Sequence, residues 1–220
     1  SKTIIAISKD KRVFKYFPIF SMVVDDSNYI KKIKSRFERE LTIADKISDL
    51  ELLNVVSLYD YKYCNIIPES FFKKCDSYVD YLMSKKEASK ECMYLYKNYP
   101  IKLNRGMYVA EFGYCSSDLG TEVEKISKKP FPAVEAFLNS IIFQISFTLE
   151  SIRKKYPLFC HYDLFMRNIL CQRANDEIIY KFDGKTTTYK IPKGGIIVKI
   201  NDFGDATMKS LGEEVDYVDI

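Results

Sequence analysis

The 220-residue chain has no tryptophan and a single histidine, His161. One imidazole cannot build a histidine-rich metal centre, and none of the six cysteines belongs to a Cys-x-x-Cys pair. A zinc site is therefore not expected, nor is a disulfide framework in a chain this long. Cys64, Cys75, Cys92, Cys115, Cys160 and Cys171 read as reduced thiols in a cytoplasmic setting. No apolar run reaches the roughly 20 residues that span a bilayer, and no secretory leader opens the chain. Neither sign of charge dominates: 34 basic and 30 acidic residues leave a formal net charge of +4. That balance does not imply nucleic acid, and no aromatic–basic motif recommends a specific nucleic-acid partner. It does suit a weakly basic cleft for an anionic ligand.

What is present is an apolar content of 47%, enough for a sizeable core in one large domain or two small lobes. The stretch "TIIAISKDKRVFKYFPI" reads as two short strands around a turn at Ser8 to Lys11. Lys15 alternates with Val13 and Phe17 and so shares their face. Ser27 or Asn28 can cap a following helix. On it Ile33, Phe37, Glu40, Ala44 and Ile47 recur in steps of three and four. A carboxylate thus lies on an apolar stripe, and a buried unpaired charge is costly, so Glu40 needs a partner. Glu38, about 200° round the wheel, should face solvent. "VVSLYDYKYC" reads as a strand, and residues 51–100 show no legible chemistry.

A strand runs through Phe112, followed by a polar turn from Gly113 to Ser117 and then Asp118. "PFPAVEAFLNSIIFQISFTLESIRKKYP" is the strongest helix pattern, with Pro132 at its first positions and Pro157 stopping it. Its stripe of Val134, Phe137, Leu138, Ile141, Ile142, Ile145, Leu149 and Ile152 is that of a core helix. Strand patterns close the chain, broken at Asp183-Gly184 and Gly194-Gly195.

Between helix and strands stands "HYDLFMRNIL", and later "VKINDFG". With the strand lysine of "VFK", the helix glutamate of "FEREL" and the strand "VAEFGYCSSDL", five motifs fall in one order. In that order they resemble the protein kinase superfamily from about Thr3 to Ala206, nearly the whole chain. The long interval before Asp202 is similar to a divergent serine/threonine-type kinase group of large DNA viruses. The resemblance implies an α+β, bilobal kinase-like fold. Residues 1–112 would form a β-rich N-terminal lobe, and 113–220 part of an α-rich C-terminal lobe. It implies ATP and Mg²⁺ as cofactors and a protein substrate, with virion or host proteins as further partners and a virion or host-cytoplasm location.

The resemblance also assigns roles. Asp163 would accept the proton of the substrate hydroxyl, and Asn168 and Asp202 would offer oxygen ligands to Mg²⁺. Lys15 would hold the α/β-phosphates, aligned by Glu40. Glu111 and Phe112 would line the adenine site after a gatekeeper at Ala110, with Asp118 a ribose contact. Arg167 would supply positive charge beside Asp163, and His161 would brace the loop.

Five departures stand against the pattern. No glycine-rich phosphate loop precedes Thr3, and Tyr162 replaces the usual arginine. Phe165 stands where serine/threonine kinases carry a lysine, Arg167 falling instead at an offset where tyrosine kinases often carry arginine. Asn168 and Asp202 are 34 residues apart, so "IIYKFDGKTTTYKIPKGG" reads as an inserted hairpin. Only 16 residues follow Gly204, so a fragment or a chain with omitted segments is expected. Alternatives are a pseudokinase or virion scaffold of kinase ancestry, and a small-molecule phosphotransferase, which often lacks Asp-Phe-Gly.

Overall fold

The computed structural model describes residues 4–20, 27–64, 104–181 and 188–208. The chain folds as a mixture of helices and antiparallel sheets, an α+β architecture compatible with a kinase-like fold. It divides into two compact units. The first is built from residues 1–38 and 59–111, the second from residues 39–58 and 112–220.

The first unit holds a sheet of order β1-β2-β4-β3: β1 (Ile4–Ile7), β2 (Arg12–Phe20), β3 (Leu58–Cys64) and β4 (Asn104–Gly113). The β1–β2 hairpin pairs Ile5 with Lys15 and Ile7 with Val13. Its turn closes because Ser8 N donates to Arg12 O at 2.9 Å, while Lys11 takes the left-handed φ of 59° that the reversal needs. Helix α1 (Ser27–Ser48) begins at a residue expected to cap it. Phe37 meets Phe17 with ring centroids 4.9 Å apart, and Phe17 is fully buried. Burying one such side chain contributes about 1.5–3 kcal/mol. Glu38 is exposed, as its position on the wheel requires, but accepts a short hydrogen bond from Tyr108 Oη. That bond and burial raise the Tyr108 phenol well above its ordinary pKa, burial being the larger cause.

In the second unit, β5 (Ser117–Asp118), β6 (Ile169–Arg173) and β9 (Ile196–Ile200) form an antiparallel sheet, and β7 (Ile178–Lys181) pairs with β8 (Thr188–Ile191). Helix α2 (Leu119–Ile126) is absent from the sequence reading: it is short and carries Gly120 in its first turn. The Asp183-Gly184 break lies outside the described residues. At the other break, Gly194 adopts φ 78°, and a Cβ on Gly195 would lie 2.6 Å from Ile191 Cγ2.

Helix α3 (Phe131–Lys155) has Pro at its first positions and three basic residues in its last turn. Its tightly buried line is Ile141, Gln144, Thr148 and Ile152, so polar residues sit where a continuous apolar stripe was expected. Leu138 and Ile142, expected on that stripe, are exposed. By length and composition α3 could cross a membrane, which the search for apolar runs did not register. Within this unit one side of it packs against two apolar clusters. Leu119, Ile141, Ile169, Cys171 and Val198 form one cluster with partly buried Phe137 and Ile145. Ala174, Tyr180, Ile191 and Ile197 form a second with Phe143 and Phe147.

Cys64, Cys115, Cys160 and Cys171 are free thiols, while Cys75 and Cys92 lie outside the described residues. Burial, with the Glu122 charge second, pushes the Cys171 thiol up to about 12, so it stays protonated and inert.

Candidate active site

The loop that follows α3 is clamped at its start. Cys160 N donates to Thr207 O at 3.1 Å and Thr207 N to Cys160 O at 2.8 Å, an antiparallel bridge. It is clamped again at its end, where Ile169 stands opposite Ile200 in the β6–β9 ladder and Asn201 N donates to Asn168 O at 2.9 Å. Residues 161–168 and 201–206 are therefore adjoining loops closed together at both ends.

His161 spans them. It is 5% exposed, and its Nε2 donates to Asn201 O at 3.1 Å. The carbonyl acceptor puts the proton on Nε2, leaving Nδ1 buried with no hydrogen-bond partner among the described residues. The imidazole packs on Phe203 at 5.4 Å between centroids, and Phe203 meets Phe159 at 6.4 Å. This is the bracing role expected of the lone histidine. Each loop also holds a non-glycine residue in the left-handed region, Tyr162 at φ 60° and Asp202 at φ 63°. Aspartate tolerates that region, whereas an aromatic side chain there is a genuine outlier. Strain of this kind, on the order of 1–3 kcal/mol, persists only where the surroundings over-determine it. The clamps and the His161 bridge do so here.

Burial holds the His161 pKa below its ordinary value, against the hydrogen bond to Asn201 and the negative charges of Asp202 and Asp163. The folded state therefore binds its proton less readily than the unfolded chain, whose imidazole titrates near about 6.5. This penalty is absent well above that pH, grows as pH falls through it, and levels off below the folded value. Melting temperatures of the metal-free protein should accordingly fall between pH 7.5 and 5.5 by more than those of His161→Gln. Parallel pH profiles for the two would show that the imidazole is not held neutral.

Asp163 and Asn168 face one another across a tight turn. Asn168 is 5% exposed and its Nδ2 donates to both Asp163 O and Asp163 Oδ2, each at 2.8 Å. That fixes the carboxylate and leaves the amide Oδ1 as the atom available to a cation. Arg167 Nη2 reaches Asp163 Oδ1 at 3.0 Å and Oδ2 at 3.1 Å, with its guanidinium over the Phe165 ring at 4.7 Å. The arginine side chain is largely exposed, so this ion pair is worth about 0–1 kcal/mol.

Glu40, 4% exposed on α1, lies against the second loop. A Cβ at Gly204 would stand 3.1 Å from Glu40 Oε2, a tight approach, and 3.5 Å from Asp202 Oδ1, an ordinary contact, so the absent side chain eases the approach of Glu40. Arg39 Nη2 donates to Gly204 O at 3.3 Å. Asp118 caps α2: its carboxylate accepts from Thr121 N at 2.9 Å and Thr121 Oγ1 at 3.0 Å. The Thr121 N–H is the main reason its pKa lies below the ordinary range. Phe112 is buried in this second unit. In the first unit Lys15 extends over the Phe17 ring at 5.0 Å, Glu111 accepts from Arg12 Nη1 at 2.9 Å, and Ala110 is fully buried. The second unit thus gathers Glu40, Asp163, Arg167, Asn168 and Asp202, while Lys15 and Glu111 belong to the first.

Among the described residues no group of three or more His, Cys, Asp or Glu side chains is placed to hold a metal. Mg²⁺ needs no such cage, since it is commonly held by one or two protein oxygens together with phosphates and water. An amide oxygen at 168 and a carboxylate at 202 fit that donor set.

Sequence reasoning missed Arg39, Asn54, Gln144 and Tyr180. Gln144 had the same signal as Glu40, a polar residue on an apolar helical stripe. Asn54 was the one amide within "ELLNVV".

No family model matches the chain. It is 25% identical over 225 residues to a protein of Acanthamoeba polyphaga mimivirus named as a putative serine/threonine-protein kinase, covering 92% of this chain and 55% of that protein. A second mimivirus protein with the same description is 33% identical over 78 residues, 33% of this chain and 17% of that protein. The chain spans about half the length of the first relative. These likenesses are weak in identity but one runs along most of the chain, and they support a kinase-like family.

Proposed function

We propose that this chain carries the nucleotide- and metal-binding machinery of an ATP- and Mg²⁺-dependent protein kinase, acting on a serine or threonine hydroxyl within a bilobal fold. The main support is the double closure of loops 161–168 and 201–206, which brings Asp163, Asn168 and Asp202 together on one unit. Phosphoryl transfer depends mostly on positioning and charge neutralisation rather than covalent chemistry by the protein. Asp163 accepts the substrate hydroxyl's proton, its carboxylate held by Asn168 Nδ2. Asn168 Oδ1 and Asp202 hold Mg²⁺, which when bound neutralises charge on the β- and γ-phosphates. Lys15 pairs with the α- and β-phosphates. Glu111 and Phe112 line the adenine site, and Asp118 meets the ribose through lone pairs that Thr121 does not use.

One observation favours a second reading, a pseudokinase or scaffold of kinase ancestry. Arg167 straddles both oxygens of Asp163 and competes for the lone pairs a base would use. Labelling a generic protein substrate with γ-labelled ATP separates the two. Mg²⁺-dependent transfer supports the kinase, while nucleotide binding without transfer over long incubations supports the scaffold.

A further inference from the structure

Among the described residues, strand β9 has a ladder partner on one edge only. Along β6 it pairs Leu170 with Lys199 and Gln172 with Ile197, while Ile196, Val198 and Ile200 direct their backbone groups to the other edge. No second strand of the sheet lies there among the described residues. Gln144 Nε2 donates to Ile196 O at 3.0 Å, and Gln144 Oε1 accepts from Val198 N at 3.0 Å. Asn54 Nδ2 donates to Val198 O at 2.7 Å, and Asn54 O accepts from Ile200 N at 2.8 Å. Val56 N completes the edge by donating to Ile200 O at 3.0 Å. Two side-chain amides and a short parallel bridge at Val55 thus stand in for a strand, ending two residues before Asp202.

This arrangement works only if the Asn54 amide points one way. Nδ2 also donates to Gln144 Oε1 at 2.9 Å, so a flipped amide would set an oxygen against two acceptors. Tyr180 completes the pairing of that amide: its Oη donates to Asn54 Oδ1 at 2.7 Å, so both ends of the side chain are satisfied. Tyr180 lies on the β7–β8 hairpin, the segment read from the sequence as an insertion. The hairpin is seated by stacking: Tyr189 lies 4.0 Å from Phe143, and Tyr180 meets Phe143 and Phe147 edge-on at 5.3 and 5.2 Å. A buried, fully paired network of this kind specifies one arrangement, because each alternative leaves a polar atom unsatisfied.

We infer that Tyr180 is a positioning residue for Asp202: through Asn54 the inserted hairpin sets the strand end that presents the metal-binding carboxylate. The role in metal binding rests on the proposed function, whereas the mechanical coupling does not. The test is Tyr180→Phe in the full chain, which keeps the ring and deletes only the donor. Amide exchange at Val198 and Ile200 through Phe203 should quicken at least fivefold, with the helical fold retained. In an active protein the Mg²⁺ concentration for half-maximal transfer should rise severalfold, with kcat at saturating Mg²⁺ little changed. Ile152→Val, a buried change outside the network, should lower the melting temperature without moving the Mg²⁺ midpoint. Asn54→Asp, which keeps the Tyr180 contact but turns an acceptor toward Val198 O, should reproduce the Tyr180→Phe result. Unchanged exchange at 198–203, or faster exchange with an unmoved Mg²⁺ midpoint, overturns the inference. A wild-type protein that neither binds nor uses Mg-ATP overturns the proposed function instead, and exchange alone then decides whether the hairpin controls the Asp202 turn.

Discussion

If the proposed kinase reading holds, Asp163→Asn should lower the rate of phosphoryl transfer by about 10²–10⁴-fold, the range for loss of a positioned general base, while Mg-ATP binding should survive. Asparagine has nearly the same shape, and its side-chain oxygen can still accept from Asn168 Nδ2, which now bonds Asp163 Oδ2 at 2.8 Å. The Arg167 ion pair is lost, but a pair whose arginine lies largely in solvent contributes only about 0–1 kcal/mol. Steady-state rates with a protein substrate, beside a nucleotide-binding assay, check this. Transfer within a few-fold of wild type would remove Asp163 from the role of base. A companion Arg167→Ala tests the competing reading: if the guanidinium restrains the carboxylate, its removal should raise transfer rather than abolish it.

The other large effect is expected at Asp202. Bound ligand stabilises the folded state by mass action, about 2.7 kcal/mol at 100 times Kd. In a chain of this size each kcal/mol moves the melting temperature by about 2–4 °C, so saturating Mg-ATP should raise it by about 5–10 °C. Asp202→Asn should abolish most of that shift and leave the ligand-free melting temperature near wild type. Asparagine is the informative replacement because residue 202 sits at φ 63°, a conformation asparagine tolerates and alanine does not. Differential scanning fluorimetry with and without Mg-ATP reads both effects. An undiminished shift in Asp202→Asn would mean that the carboxylate does not hold the metal.

The sequence was legible where the signal is local and periodic. The Ser8–Lys11 turn lies between two alternating runs, capping residues and prolines mark the start of α1 and the limits of α3, and the burial of Glu40 follows from steps of three and four residues. The His161–Asn168 loop was legible as a motif. The contacts that make it a site come from outside the motif: the Cys160–Thr207 bridge, and the Asn201 carbonyl that takes the imidazole proton. Helix α2 was hidden because its start depends on one cap, Asp118, with glycine at the second helical position. The Asn54 network could not be read at all. Its partners lie 90, 144 and 126 residues away, and nothing in the composition around Asn54 links it to a tyrosine on a distant hairpin. Gln144 was legible in principle, but an amide on an apolar face was passed over while a carboxylate was not.

The closed edge of β9 bears on how this chain behaves at high concentration. Its residues, "IIVKI", are strongly β-prone, and a bare edge of that composition is a template for adding foreign strands. Asn54 and Gln144 occupy the very groups such growth would need, so the native protein offers no seed there. Fibrillar association through this strand has to wait until both amides have let go.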